Sequence, residues 1–359
     1  MPIATRTDVF AGTDAGMGRR RKGTTAWWAL DDEELLDVRM ADLELRIPGT
    51  VLEDRIARLQ AELESRRIRL RPHFWLGEEW FAPDGVPGIA APYYLAHPRL
   101  IELERRQMHA VEGGTREECL RILRHEAGHA LESAFRLNRR QDWRRVFGRA
   151  AKAYPTHYWV RPASKNYVLH LGSWYAQSHP SEDFAETFAV WLKPDSRWRR
   201  RYAGWPALRK LEYVDTLMRE LAGVTPPVRS RETVDPLHQV RTTLREHYRR
   251  KHETYFAGYP AAYDRALRRL FGATTNTGRY ESAAAFLRRH RRELRDSVSE
   301  FTGVDPYVVE HLLTEMILEA RRLGLRRHRP ELKIRLATEV MLTMRTKRFL
   351  LAGRHKMAL

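Results

Sequence analysis

Apolar positions recur at helical steps in "VLEDRIARLQAELESRRIRL", residues 51 to 70, where Val51, Leu52, Ile56, Leu59 and Leu63 alternate with charged residues. The pattern predicts an amphipathic helix. After Pro72 the helical period is lost. The stretch "HFWLGEEWFAPDGVPGIAAPYYLAHPRLIELE" is rich in aromatics and broken by Pro83, Gly85, Pro87 and Gly88, so it reads as short strands joined by turns, a small sheet. Within it, "GIAAPYYLAH" is either an edge able to pair with an extended peptide through main-chain hydrogen bonds or an ordinary buried strand. Gly113 and Gly114 then break the chain, and Thr115 with Glu118 forms the T-x-x-E signature of a capped helix start. Leu120, Leu123, Ala127, Ala130, Leu131 and Ala134 make the apolar stripe of that helix.

A long, irregular and aromatic stretch follows, ending in an expected strand over "NYVLHL" and a second helix that begins near Pro180, a favoured first helical position. All ten tryptophans lie between Trp27 and Trp205, and a Pro-containing linker runs through 224–236. Beyond it, "AAAFLRRHRRELRDSVSEF", "PYVVEHLLTEMILEARRLGL" and "ELKIRLATEVMLTMRTKRFLL" carry apolar residues at steps of three and four. The expected organisation is a polar, Gly-rich disordered tail over 1–25, an α+β domain over 26–223, the linker, and a basic all-α domain over 237–359.

Composition changes this picture only modestly. The 359 residues are 43% hydrophobic, enough for a sizeable core, and the single cysteine, Cys119, rules out an intramolecular disulfide and sits on an apolar helical face as a packed thiol. No uninterrupted apolar run reaches the length of a secretory signal or a membrane span, so a cytoplasmic protein with no membrane partner is expected. Of the net charge of +18, +13 falls in residues 224–359, which hold 28 Lys and Arg against 15 Asp and Glu. Such a charge attracts acidic partners, whether nucleic acid, anionic lipid or acidic peptides. The run "RRLGLRRHR", residues 321 to 329, could hold phosphates, but it lacks interleaved aromatics and matches no DNA-binding signature, so a solvated helix end is its default reading.

The chemistry concentrates in "RILRHEAGHALESAF", residues 121 to 135. His125, Glu126 and His129 fit H-E-x-x-H: histidines four apart share a helical face and can bind one zinc ion, with the glutamate beside it to activate water. The metzincin continuation is excluded, because Glu132 and Phe135 stand where it requires glycine and histidine. A third ligand must come from the second helix, where "SEDFAETFA" offers Glu182, Asp183 and Glu186. A metal-bound histidine usually donates its other N–H to an acceptor, and if Glu182 binds the metal, Glu186 one turn on supplies it. For Asp183 and Glu186 the corresponding residues are Thr187 and Val190, so Glu182 is chosen. Three protein ligands leave the fourth position for water, the arrangement of catalytic zinc, with Glu126 as general base. An oxyanion donor is still needed; a phenol can serve, and Tyr175 lies seven residues before Glu182. His179, preceding a proline, is expected to cap the turn, and His170 could line the cleft or face solvent.

His125-Glu126-Ala127-Gly128-His129 followed by Tyr175 and Glu182-Asp183-Phe184-Ala185-Glu186 resembles the gluzincin metallopeptidases of the anthrax lethal factor type. The segment "YAQSHPSEDFAETFAVWL" resembles still more closely the bacterial family of zinc-binding metallopeptidases, over most of the first 223 residues. The resemblance implies a zincin-like fold with a metal-binding helix pair, zinc held by His125, His129 and Glu182, catalysis by Glu126, and an oxyanion-stabilising Tyr175. The function expected is zinc-dependent hydrolysis of a peptide or protein substrate. The rival reading is a non-catalytic nucleic-acid-binding or adaptor protein on the same scaffold.

Overall fold

The computed structural model describes residues 26–351 except 109–110, 152, 156–157, 159–160, 162–163, 173, 257–263, 273–279 and 305. The expected tail over 1–25 lies outside the described residues, as do 352–359 of the C-terminal segment. The described residues are mostly helical, with one small two-stranded sheet among them, an α+β composition. The N-terminal helices are α1 (Asp32–Leu36) and α2 (Val51–Ser65), and the sheet is β1 (His73–Gly77) and β2 (Gly88–Pro92). Then come α3 (Pro98–Met108), α4 (Arg116–Phe135), α5 (Gln141–Phe147), α6 (Pro180–Leu192), α7 (Trp198–Arg201) and α8 (Ala207–Leu221). The series closes with α9 (Leu244–Phe256), α10 (Asp264–Leu270), α11 (Ala283–Arg289), α12 (Arg291–Thr302), α13 (Pro306–Arg322) and α14 (Glu331–Leu351).

The sheet ahead of the histidine helix is present, with β1 and β2 parallel and His73 opposite Gly88. On its other side β2 meets Phe81, whose carbonyl accepts from the Ala90 amide at 2.8 Å. All five residues of β2 are buried, so the buried-strand reading holds and the open peptide-pairing edge does not. A second expectation is corrected at "NYVLHL", where no strand forms. Its backbone groups find side chains instead: Leu169 N–H donates to Tyr202 Oη at 3.0 Å and Leu171 N–H to Glu186 Oε2 at 2.9 Å. Alternation of apolar residues cannot distinguish a ladder from a segment held this way.

Helix α4 runs through the middle of the N-terminal core. Its start is set by Thr115, whose side-chain oxygen accepts from the Glu118 amide at 3.2 Å. From one side α2 grips it through Arg124, which donates to both Glu62 oxygens at 2.7 and 2.8 Å in a buried bidentate pair. Arg55 of α2 also donates to the Gly113 and Gly114 carbonyls at 2.8 and 3.1 Å, fixing the turn that aims α4. Cys119 is buried in this core and burial pushes its thiol up to about 11, which keeps it a packed, protonated group.

After 224–236 the chain returns to this first core. Leu237, Leu244 and Tyr248 belong to the same buried cluster as α2 and α4. Helix α9 is tied down by Lys251, 3.0 Å from both Glu79 and Glu104, and by a 2.9 Å contact of His247 Nδ1 with Glu78. A second buried cluster begins at Leu267 and is built from α10 to α14. Trp174 packs against it, and Gly303, at φ +69°, lies so close that a Cβ there would overlap the Trp174 ring. The second cluster thus meets the first next to the segment that carries Tyr175.

Candidate metal centre

Helices α4 and α6 cross where Gly128 faces Ala185. A Cβ on Gly128 would stand 2.8 Å from the Ala185 Cα, closer than real Cβ contacts allow. Glycine inside a helix costs about 1 kcal/mol relative to alanine, and the close crossing is what this one provides. The start of α6 is set by His179, whose Nδ1 accepts from the Ser181 amide at 3.2 Å, and by Pro180 at the first helical position. Glu182 and Asp183 therefore fall in the first turn, where the helix dipole favours negative charge.

The crossing brings four predicted residues together. His125 Nε2, His129 Nε2 and Glu182 Oε2 form a triangle with sides of 3.1, 3.0 and 3.1 Å. Behind it, His125 Nδ1–H donates to Glu186 Oε1 at 2.9 Å, which turns the Nε2 lone pair toward the triangle. Ligands about 2.0–2.1 Å from a tetrahedral zinc lie roughly 3.3 Å from one another, so an outward relaxation of a few tenths of an ångström would admit the ion. The donor set suits it: two imidazoles and a carboxylate, nearly all buried. Glu126 is buried beside them, and its Oε1 has no hydrogen-bond partner among the described residues.

Electrostatics give the same answer. Burial works against a charged His125, yet the hydrogen bonds and charges of Glu182 and Glu186 outweigh it and lift the imidazole to about 10. For Glu182, burial is likewise overcome by His129 and His125, which hold the carboxyl below its ordinary value. The cage is built to hold positive charge. Burial raises Glu126, partly offset by the two histidines.

Tyr175 is buried with its ring centroid 5.6 Å from that of His125, and burial followed by the Glu182 charge raises its phenol well above the ordinary value. Asp183 points elsewhere, to Lys210 of α8 at 2.5 Å, and burial still raises it to about 7. His179 caps α6. His170 is half-buried and does not join the triangle: its Nε2 donates to the Arg121 carbonyl at 2.9 Å and burial lowers it to about 4.

Sequence reasoning missed Tyr154, whose hydroxyl donates to Glu182 Oε1 at 2.9 Å. It also missed Glu132, one turn beyond His129 and buried against Ser181, where desolvation raises it to about 7. The i+3 spacing from His129 could have suggested Glu132. Nothing local marks Tyr154, a single tyrosine in an aperiodic stretch.

Residues 103–196 match the family described as "Putative zinc-binding metallo-peptidase". The match shows a similarity of this segment to that family. The matched segment runs from α3 past α6 and contains the triangle, Glu126, Glu186, Tyr154 and Tyr175. No curated protein and no solved structure matches the chain.

The Gly128 contact makes a prediction. Gly128→Ala gains about 1 kcal/mol of helix propensity but forces α6 away from α4, an overpacking that costs about 1–3 kcal/mol in a well-packed core. A net loss of stability in urea unfolding is expected, together with weaker metal uptake because Glu182 retreats from the histidines. A variant as stable as the parent with unchanged metal affinity would show that the crossing is slack.

Proposed function

We propose that the chain is a zinc-dependent peptidase of the gluzincin type, with zinc held by His125, His129 and Glu182. The observation that carries the reading is the triangle of two imidazole nitrogens and one carboxylate oxygen with a buried, unpartnered glutamate oxygen beside it. The family of the matched segment supports it. When bound, zinc lowers the pKa of a water and polarises the scissile carbonyl. With the ion in place, Glu126 would serve as the base that accepts the water's proton and as the acid that passes it to the leaving amine. Tyr175 donates its phenolic hydrogen to the oxygen on which negative charge develops. Glu186 holds His125 in the tautomer that presents Nε2 to the metal. The substrate is a peptide or protein, and the net charge of +18 favours acidic ones.

Elemental analysis tests the assignment. The wild-type chain should carry about one zinc per molecule and His129→Ala should carry little. Equal zinc in both would remove the site, and an absence of zinc from the wild type would favour a non-catalytic adaptor or nucleic-acid-binding protein.

A further inference from the structure

The hydrogen bond from Tyr154 to Glu182 has a consequence for how that carboxylate can bind. Glu182 Oε2 is turned toward both histidine nitrogens, at 3.0 and 3.1 Å, while Oε1 accepts from the Tyr154 hydroxyl at 2.9 Å. A carboxylate free to rotate can offer both oxygens to a metal and fill the position that water needs; one whose second oxygen is engaged offers a single oxygen. Tyr154 is itself held from beneath. Its ring stacks on His179 with centroids 3.9 Å apart and 21° between planes, and His179 caps the helix that carries Glu182. Tyr154 is 53% exposed whereas Glu182 is buried, so the phenol reaches the carboxylate from the solvent side.

We propose that Tyr154 is a positioning residue that holds Glu182 as a one-oxygen ligand and so keeps a coordination position open for water. The proposal rests on the zinc peptidase reading. It differs from the role of Tyr175, whose ring lies beside His125 and which is assigned to the reacting carbonyl. Tyr154 acts only through Glu182.

The test reads metal binding as well as turnover, in the full-length chain. Zinc dissociation constants are measured by chelator competition for the wild type, Tyr154→Phe, Glu182→Gln and the double variant. Tyr154→Phe keeps the stack on His179 and removes the hydroxyl. Its zinc affinity should fall about 10–100-fold, the usual loss when the group behind a ligand is removed. With Co²⁺ in place of zinc, its visible absorption should weaken as the freed carboxylate raises the coordination number, and kcat should fall more than KM changes. In the Glu182→Gln background the same substitution should cost little further, because the ligand through which it acts is gone.

Zinc affinity within threefold of wild type and an unchanged cobalt spectrum would overturn the proposal, and so would equal losses in both backgrounds. A Tyr154→Phe chain that does not fold also counts against it, since a hydroxyl on an exposed residue that only positions Glu182 is not needed for folding. A wild-type chain that takes up no zinc would instead defeat the peptidase reading itself.

Discussion

Glu126→Gln is expected to retain about one zinc per chain and to lose turnover by roughly 10²–10⁴-fold, the usual contribution of general base catalysis. The substitution keeps the size and most of the polarity of the side chain. What disappears is the carboxylate oxygen that accepts the proton. Glu126 is buried beside the ligand triangle without being one of its corners, so its removal should leave the zinc ligands in place. Zinc content by elemental analysis and kcat on a cleaved peptide separate the two effects. Full turnover with zinc retained would assign the base elsewhere, and loss of zinc would mean that Glu126 helps to hold the ion.

Tyr175→Phe should lower kcat by about 10²–10³-fold, the loss seen when a single oxyanion donor is removed, with little change in KM or in zinc content. The ring stays, and with it the packing beside His125. The contrast with Tyr154→Phe is the informative part. Tyr175→Phe should spare the metal and slow the reaction; Tyr154→Phe should weaken the metal first. If both behave alike, the division of labour between the two tyrosines is wrong. A silent Tyr175→Phe would leave the zinc site intact and return the search for the oxyanion donor to the aromatic segment before it.

The parts of this site that depend on local rules were readable along the chain. The Thr115 cap places the start of α4, Pro180 that of α6, and i,i+4 spacing puts the two histidines on one face and Glu186 one turn behind Glu182. What brings those faces together is not local. Gly128 was a glycine within a zinc-binding signature until its approach to Ala185 gave it a packing role. Tyr154 reaches Glu182 across 28 residues from a segment with no periodicity, and no pattern in the sequence marks it. The expected strand at "NYVLHL" failed because side chains of Tyr202 and Glu186 serve its backbone, contacts that alternation does not encode. The return of α9 to the first core likewise depends on partners for the buried Lys251 and His247 that lie far back in the chain.

Peptide-bond cleavage can be followed through removal and return of the metal. A mixed peptide library is incubated with the wild-type chain as purified, after exhaustive chelation, and after one equivalent of zinc is restored, with new termini read by mass spectrometry. Cleavage should disappear on chelation, return with stoichiometric zinc, and be nearly absent from zinc-loaded Glu126→Gln. Cleavage that survives in the metal-free chain, or that Glu126→Gln performs as well as the wild type, would contradict it.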